Sequence, residues 1–451
     1  MKLLIALLNP PVFIGVVFML VVFSFLFVYL WRRRTPIVYL LFLFLSTCAL
    51  FIIANEAFHM IHMRLDSVED YIPQALCVAE GLRSGPFAFI CDNYYVKIFS
   101  TPFFPYTIPL GVVFAFSQDS IVAGNFISSI FGALTIYMLY HITKDLFGKQ
   151  TALLAALMLA ISPFFIFISS VIMRDTMVVF LIAWFYRLWL LHDKTPTRKI
   201  EILMVVSLLI MGILRPAIMA VVVGTAMMYK IYFDKQHSKH YIAKFIRSMT
   251  IVVGIITVLL LITGTVDLKS LKDNRLTSGL KYTSLEGIND KIGNNLDAGS
   301  RYYPVPKFNS LSDIVTHIPL LVAYFMASPF PWDPLVRMQS FALLDSLGLW
   351  VIYLLFFLQI RSFWRENRKW AIILFAYLFL GILAASVVQT NVGGSQRHRI
   401  MFTTLMLPFA AHQIWLWLPI KKRKKVAAGR GKLVLAPGSV LSWNNGRTTA
   451  L

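Results

Sequence analysis

Residues 64–81, RLDSVEDYIPQALCVAEG, gather the densest carboxylate cluster of the chain in Asp66, Glu69 and Asp70. The chain as a whole carries a formal net charge of +21, so these acids run against its balance. A carboxylate partly shielded from water can take a proton from a hydroxyl or hold a divalent cation such as Mg or Mn. Solubilising acids on an exposed helix are the plain alternative. Tyr71, Ala75 and Ala79 recur every four residues, which lets one helical face pack down and leaves the acids at its start.

A second group, Asn391-Val-Gly-Gly-Ser-Gln-Arg-His-Arg399, has basic side chains beside paired glycines at the head of the last apolar run. Arg397, His398 and Arg399 suit a phosphate, because a guanidinium forks onto two oxygens and a Gly393-Gly394 turn allows close backbone approach. Headgroup anchoring is the alternative for these bases. Arg215, followed by Pro216, interrupts an apolar stretch, and an intramembrane arginine usually faces a cavity or an anion. Asp175, beside Arg174, is either a local ion pair or helix cap, or with Asp66 a metal ligand. Trp332, in Ser328-Pro-Phe-Pro-Trp-Asp333, is a membrane anchor or a sugar-stacking surface, and with Tyr71 it would line the substrate groove.

These residues need helices that cross a membrane. The chain has 451 residues, 58% hydrophobic and 14% charged, with mean hydropathy +0.72. A soluble domain is about half apolar and a quarter charged, so the expected fold is an all-α polytopic bundle. Apolar runs fit spans at 12–31, 37–55, 122–143, 150–168, 175–192, 200–214, 217–233, 248–266, 340–360, 370–389 and 399–419, about eleven in all.

Alternating their direction puts Arg32-Arg33-Arg34, Lys144 to Lys149, Lys194 to Lys199, Lys230 to Arg247, Arg361 to Lys369 and Lys421 to Lys425 on one side. That is the cytoplasmic side by the positive-inside rule, and it accounts for the basic excess without nucleic acid. The opposite side receives two long outer loops. Residues 56–101 hold six acids against three bases. Thr101–Phe116, short and with three prolines, is expected to lie in the interface instead of spanning. Cys77 and Cys91 share the first loop and could form a disulfide there, while Cys48 falls in an apolar span.

The expected organisation is a first span over 1–36 and a transmembrane module over 37–266 with its outer loop at 56–121. A second outer loop with an interfacial helix covers 267–339, further spans 340–420 and a basic tail 421–451. No P-loop, HExxH, GxSxG or paired CxxC pattern occurs, which argues against nucleotide hydrolysis, zinc proteolysis and α/β-hydrolase chemistry.

Three stretches resemble the GT-C superfamily of membrane glycosyltransferases, especially the protein mannosyltransferases and lipid A aminoarabinose transferases. They are Asp66–Gly81 with the run Thr101–Phe116, the segment Gly124–Leu181 with its LFG turn and SPFF corner, and Leu214-Arg215-Pro216. The resemblance implies a polyprenyl-phosphate-linked sugar donor, an outer active site, and an acidic first-loop residue acting as base or metal ligand. The family often has a carboxylate about four residues before the loop tyrosine. Ser67 stands there, so Asp66, Glu69 and Asp70 all stay candidates.

The expected function is sugar transfer to a surface glycan, lipid or protein acceptor, in a bacterial inner membrane with the site facing outward. Arg215, Arg397, His398 and Arg399 would hold the lipid phosphate. An O-antigen or exopolysaccharide polymerase and a lipid-linked sugar flippase are the alternatives. If Asp66 or Asp70 is the base, Asp66→Asn combined with Asp70→Asn abolishes transfer of radiolabelled sugar from a polyprenyl phosphate into membranes. Full transfer by both single variants and the pair would refute the assignment.

Overall fold

The computed structural model describes residues 9–32, 35–58, 71–84, 103–233, 289, 308–332, 339–389 and 391–418. The expected base residues Asp66, Glu69 and Asp70, the expected span 248–266 and Cys91 lie outside the described residues. Every regular element among the described residues is a helix. In chain order they are α1 Pro10–Trp31, α2 Pro36–Phe58, α3 Ile72–Ser84, α4 Phe104–Ser117, α5 Ile121–Phe147, α6 Lys149–Ala160 and α7 Pro163–Ser169. Then follow α8 Arg174–Lys194, α9 Arg198–Leu214, α10 Pro216–Phe233, α11 Leu311–Ala327, α12 Gln339–Glu366, α13 Arg368–Val388 and α14 Val392–Trp417.

Six helices are long and apolar enough to cross a membrane, and α6 with α7 makes a seventh if that bent pair is one span. The chain is a multi-pass membrane protein; the expected count of about eleven is not reached among the described residues. Two boundaries also differ from expectation. The run 150–168 breaks at Ile161-Ser162 and turns by 67° into α7, where Pro163 lacks an N–H and Ser162 Oγ accepts from Phe165 N at 3.4 Å. The Gly393-Gly394 stretch is not a flexible turn. It forms the first turn of α14, with the Asn391 side chain accepting from Gly394 N at 2.5 Å. An N-cap residue six places before Arg397 satisfies the free N–H groups and draws the helix start upstream.

α5 is the central post, packed against α1, α2, α4, α6 and α8, while α14 packs on α6, α8, α11, α12 and α13. Gly124, Ser128 and Gly132 fall every four residues along α5, so neighbouring helices approach closely. A Cβ at Gly124 would overlap the Phe114 ring on α4. α4 has 14 residues, about 21 Å of helix, too short for a hydrocarbon core of about 30 Å. α3 packs along it. Arg83 closes that pair, donating to Phe114 O at 2.7 Å and pairing with Asp119 at 2.8 Å.

The bundle has two polar ends. At one, Arg187 and Lys194 of α8 meet Asp145 of α5, and Lys369 of α13 meets Asp193. At the other stand Arg174 and Asp175, the Arg215 turn and the start of α14. The length of α8 from Asp175 to Lys194 is about 28 Å, close to a hydrocarbon core. Filling the α5 notch tests this packing. Gly124→Val should destabilise the fold by about 1–3 kcal/mol through overpacking, read as an earlier thermal midpoint in detergent. An unchanged midpoint would show that the notch is not tight.

Candidate active site

The site begins with α5. Asn125, Ser128 and Ser129 form a polar stripe at helical spacing inside an otherwise apolar interface. Asn125 Oδ1 accepts from Ile172 N at 2.9 Å, Ser128 Oγ from Met173 N at 3.4 Å, and Ser129 Oγ donates to Ser169 O at 2.6 Å. These bonds satisfy the backbone between α7 and α8, which would otherwise be unpaired in the interior. They also fix where α8 starts, and so where Arg174 and Asp175 stand.

Asp175 sits in the first turn of α8, where the helix dipole favours an anion. Its side chain is 0% exposed. Arg215 Nη2 donates to Oδ1 at 2.5 Å, and Arg397 donates to Oδ2 through Nε at 2.8 Å, with its Nη2 at 2.7 Å from the same oxygen. The two arginines come from distant parts of the chain. One is the residue between α9 and α10, where Pro216 prevents a continuous helix. The other is in the second turn of α14. Their side chains remain 18% and 14% exposed, so neither is sealed as the carboxylate between them is.

Arg174 is the third guanidinium of the group. It lies over the Phe103 ring at 4.6 Å, a cation–π contact, and its Nε is buried without a hydrogen-bond partner. Phe103 in turn packs on Tyr71 with centroids 5.2 Å apart, and Tyr71 on Tyr106 at 5.5 Å. Tyr106 Oη is 2.9 Å from Ser128 Oγ, which ties this aromatic wall to α5. Tyr71 is 1% exposed. Burial pushes its phenol above the ordinary value, against the pull of Arg174, so it stays a neutral hydroxyl.

The structure therefore brings together Asp175, Arg215, Arg397, His398 and Tyr71, the last of which ends the acidic segment of the first loop. Two expected members stand apart. Arg399, two residues along α14 from Arg397, points to the opposite face because two helical steps turn about 200°. It is 1% exposed and donates to Met326 O at 2.8 Å. Trp332 is 74% exposed and stacks on Phe330 at 4.9 Å, outside the cluster. In sequence, Arg174 reads only as a partner of Asp175. Its signal was its place, a base beside an acid at the outer end of a span where bases are scarce. Asn125, Ser128 and Ser129 stand at i, i+3 and i+4, a polar stripe that the surrounding apolar run masks in a hydropathy count.

A divalent cation does not fit Asp175, since guanidiniums occupy both of its oxygens. No group of three His, Cys, Asp or Glu able to hold a metal ion occurs among the described residues.

Residues 100–263 match the dolichyl-phosphate-mannose-protein mannosyltransferase family. This match bears out the GT-C resemblance and indicates a membrane glycosyltransferase of the GT-C type, a class that uses a lipid-linked sugar donor and a glycan or protein acceptor. No curated protein matches the chain. Arg174, Asp175 and Arg215 lie within the matched residues, whereas Tyr71, Arg397 and His398 lie beyond them.

Asp175→Asn removes the single carboxylate from between two guanidiniums. Breaking a buried pair in this way should cost about 3–5 kcal/mol, seen as a large fall in the thermal midpoint of the detergent-solubilised protein. A midpoint equal to wild type would mean that Asp175 does not hold the cluster together.

Proposed function

We propose that this protein transfers a sugar from a polyprenyl-phosphate donor to a glycan, lipid or protein acceptor at the outer face of a bacterial inner membrane. The observation that carries the reading is the convergence of Arg215 and Arg397 on the Asp175 carboxylate, with Arg174 adjacent over the Phe103 ring. Three positive groups meet one negative group among the described residues, an excess of two positive charges. A phosphodiester carries one negative charge, and the phosphate monoester it leaves behind carries close to two. A site with fixed positive charge in a dry interior stabilises that increase and so favours the transition state over the ground state.

In the reaction an acceptor oxygen forms a bond to the anomeric carbon as the bond from that carbon to the phosphate oxygen breaks. Attack opposite the phosphate inverts the anomeric centre. The acceptor proton passes to a first-loop carboxylate, Asp66 or Asp70, and the electron pair of the broken bond stays on the lipid phosphate. Arg215 and Arg397, both partly exposed, hold that phosphate. Asp175 spaces the two guanidiniums and keeps them from repelling each other. Tyr71, a neutral buried phenol, backs the site and holds the Phe103 ring beneath Arg174. A divalent cation would have to be held by the first-loop carboxylates, and no step above uses one.

Two observations support the outward orientation. Cys77 on α3 is disulfide-bonded, which suits an oxidising compartment. The end of the bundle away from the arginine cluster carries the loops rich in Lys and Arg, as a cytoplasmic end does.

Membranes containing the protein should move radiolabelled sugar from a polyprenyl-phosphate donor into an acceptor fraction. Arg215→Ala or Arg397→Ala should each lower that rate by about 10²-fold, as loss of one preorganised donor does, with the Lys variants intermediate. Wild-type rates in both Ala variants, or transfer only from a pyrophosphate-linked donor, would contradict the proposal.

A further inference from the structure

His398 meets two neighbours through a single ring nitrogen. Arg215 Nη1 lies 3.1 Å from His398 Nε2, and Gln389 Nε2 lies 3.5 Å from the same atom. Guanidinium and side-chain amide nitrogens donate hydrogen bonds and cannot accept them. The His398 Nε2 atom must therefore accept, so it carries no proton and the ring is the neutral Nδ1–H tautomer. The structure assigns His398 the part of a neutral positioning residue that aims Arg215, in place of a cation that itself binds phosphate. The assignment rests on the reading of this cluster as the site of the lipid phosphate.

The geometry gives the reason a positioning residue is needed. Arg215 leaves the backbone at the break between α9 and α10, and its long side chain spans to Asp175 on α8. Asp175 takes one terminal nitrogen. A guanidinium held at one terminal nitrogen alone can pivot about that contact. The second contact, Nη1 to His398, fixes the plane of the group from α14 and sets the direction of its remaining N–H bonds. His398 thus couples the α9–α10 break, inside the family-matched residues, to α14 outside them.

The charged groups that face the ring are Arg215 from the α9–α10 break, Arg174 and Asp175 from α8, and Arg397 from its own helix. A proton on Nε2 would set a donor against the Arg215 and Gln389 donors and add a positive charge where three guanidiniums already meet one carboxylate. Both effects oppose protonation and keep the ring neutral, and a proton forced onto it would release Arg215 and weaken phosphate binding. A cationic His398 acting on the phosphate directly would do the reverse.

The test uses the full chain in lipid nanodiscs and a polyprenyl methyl phosphate probe, a diester whose single charge does not change over about pH 5 to 8. Wild-type affinity should stay flat over this range, because burial and the facing guanidiniums keep the His398 ring neutral throughout it. His398→Gln, whose Oε1 can accept from Arg215, should bind within about threefold of wild type and show the same flat profile. His398→Ala, which leaves Nη1 without an acceptor, should bind about tenfold more weakly. Tighter wild-type binding at acid pH, or equal losses in the Gln and Ala variants, would overturn the assignment while leaving the phosphate site standing. Unchanged binding in both Arg215→Ala and Arg397→Ala would overturn the phosphate site itself and the assignment with it.

Discussion

A carboxylate sealed from solvent is costly unless cations and hydrogen bonds surround it, and Asp175 is such a group. Everything near it serves that requirement. Arg215 and Arg397 occupy its two oxygens, and each is drawn from a different helix break or helix start. The polar stripe of α5 holds the backbone that leads to it. Because a buried pair is strongly destabilised when one partner is lost, the three helices that supply these groups are locked in register. The cluster is a structural joint that also carries more positive than negative charge.

That joint also unites two parts of the chain with different likenesses. The residues that match the mannosyltransferase family supply Arg174, Asp175 and Arg215. The last helix, outside the match, supplies Arg397 and His398. Arg399 shows the cost of reading a cluster by adjacency alone. It is a close neighbour of Arg397 in sequence, yet it faces the carbonyl of Met326 on the other side of α14.

Much of the architecture was legible because the membrane permits few solutions. Backbone groups in hydrocarbon must pair within their own helix, so long apolar runs become helices wherever they occur. The grouping of Lys144, Lys194 and Lys369 against Arg174, Arg215 and Arg397 at opposite ends followed from counting spans and charges. The break at Ile161-Ser162 was hidden because a run such as LMLAISPFFIFIS stays apolar across the bend, and hydropathy carries no direction. The helical start of α14 was missed because paired glycines read as a turn, while the capping of Asn391 onto Gly394 outweighed their flexibility. Which residues meet Asp175 could not be read from spacing at all. Arg397 lies 222 positions from it, and only the packing of α14 against α8 joins them.

The most direct test of the account is an experimental structure of the full chain with a polyprenyl phosphate bound. The account predicts phosphate oxygens about 3 Å from guanidinium nitrogens of Arg215 and Arg397, with Asp175 still between them. A phosphate bound beside Arg399 and α11, or anywhere that leaves Arg215 and Arg397 untouched, would contradict it.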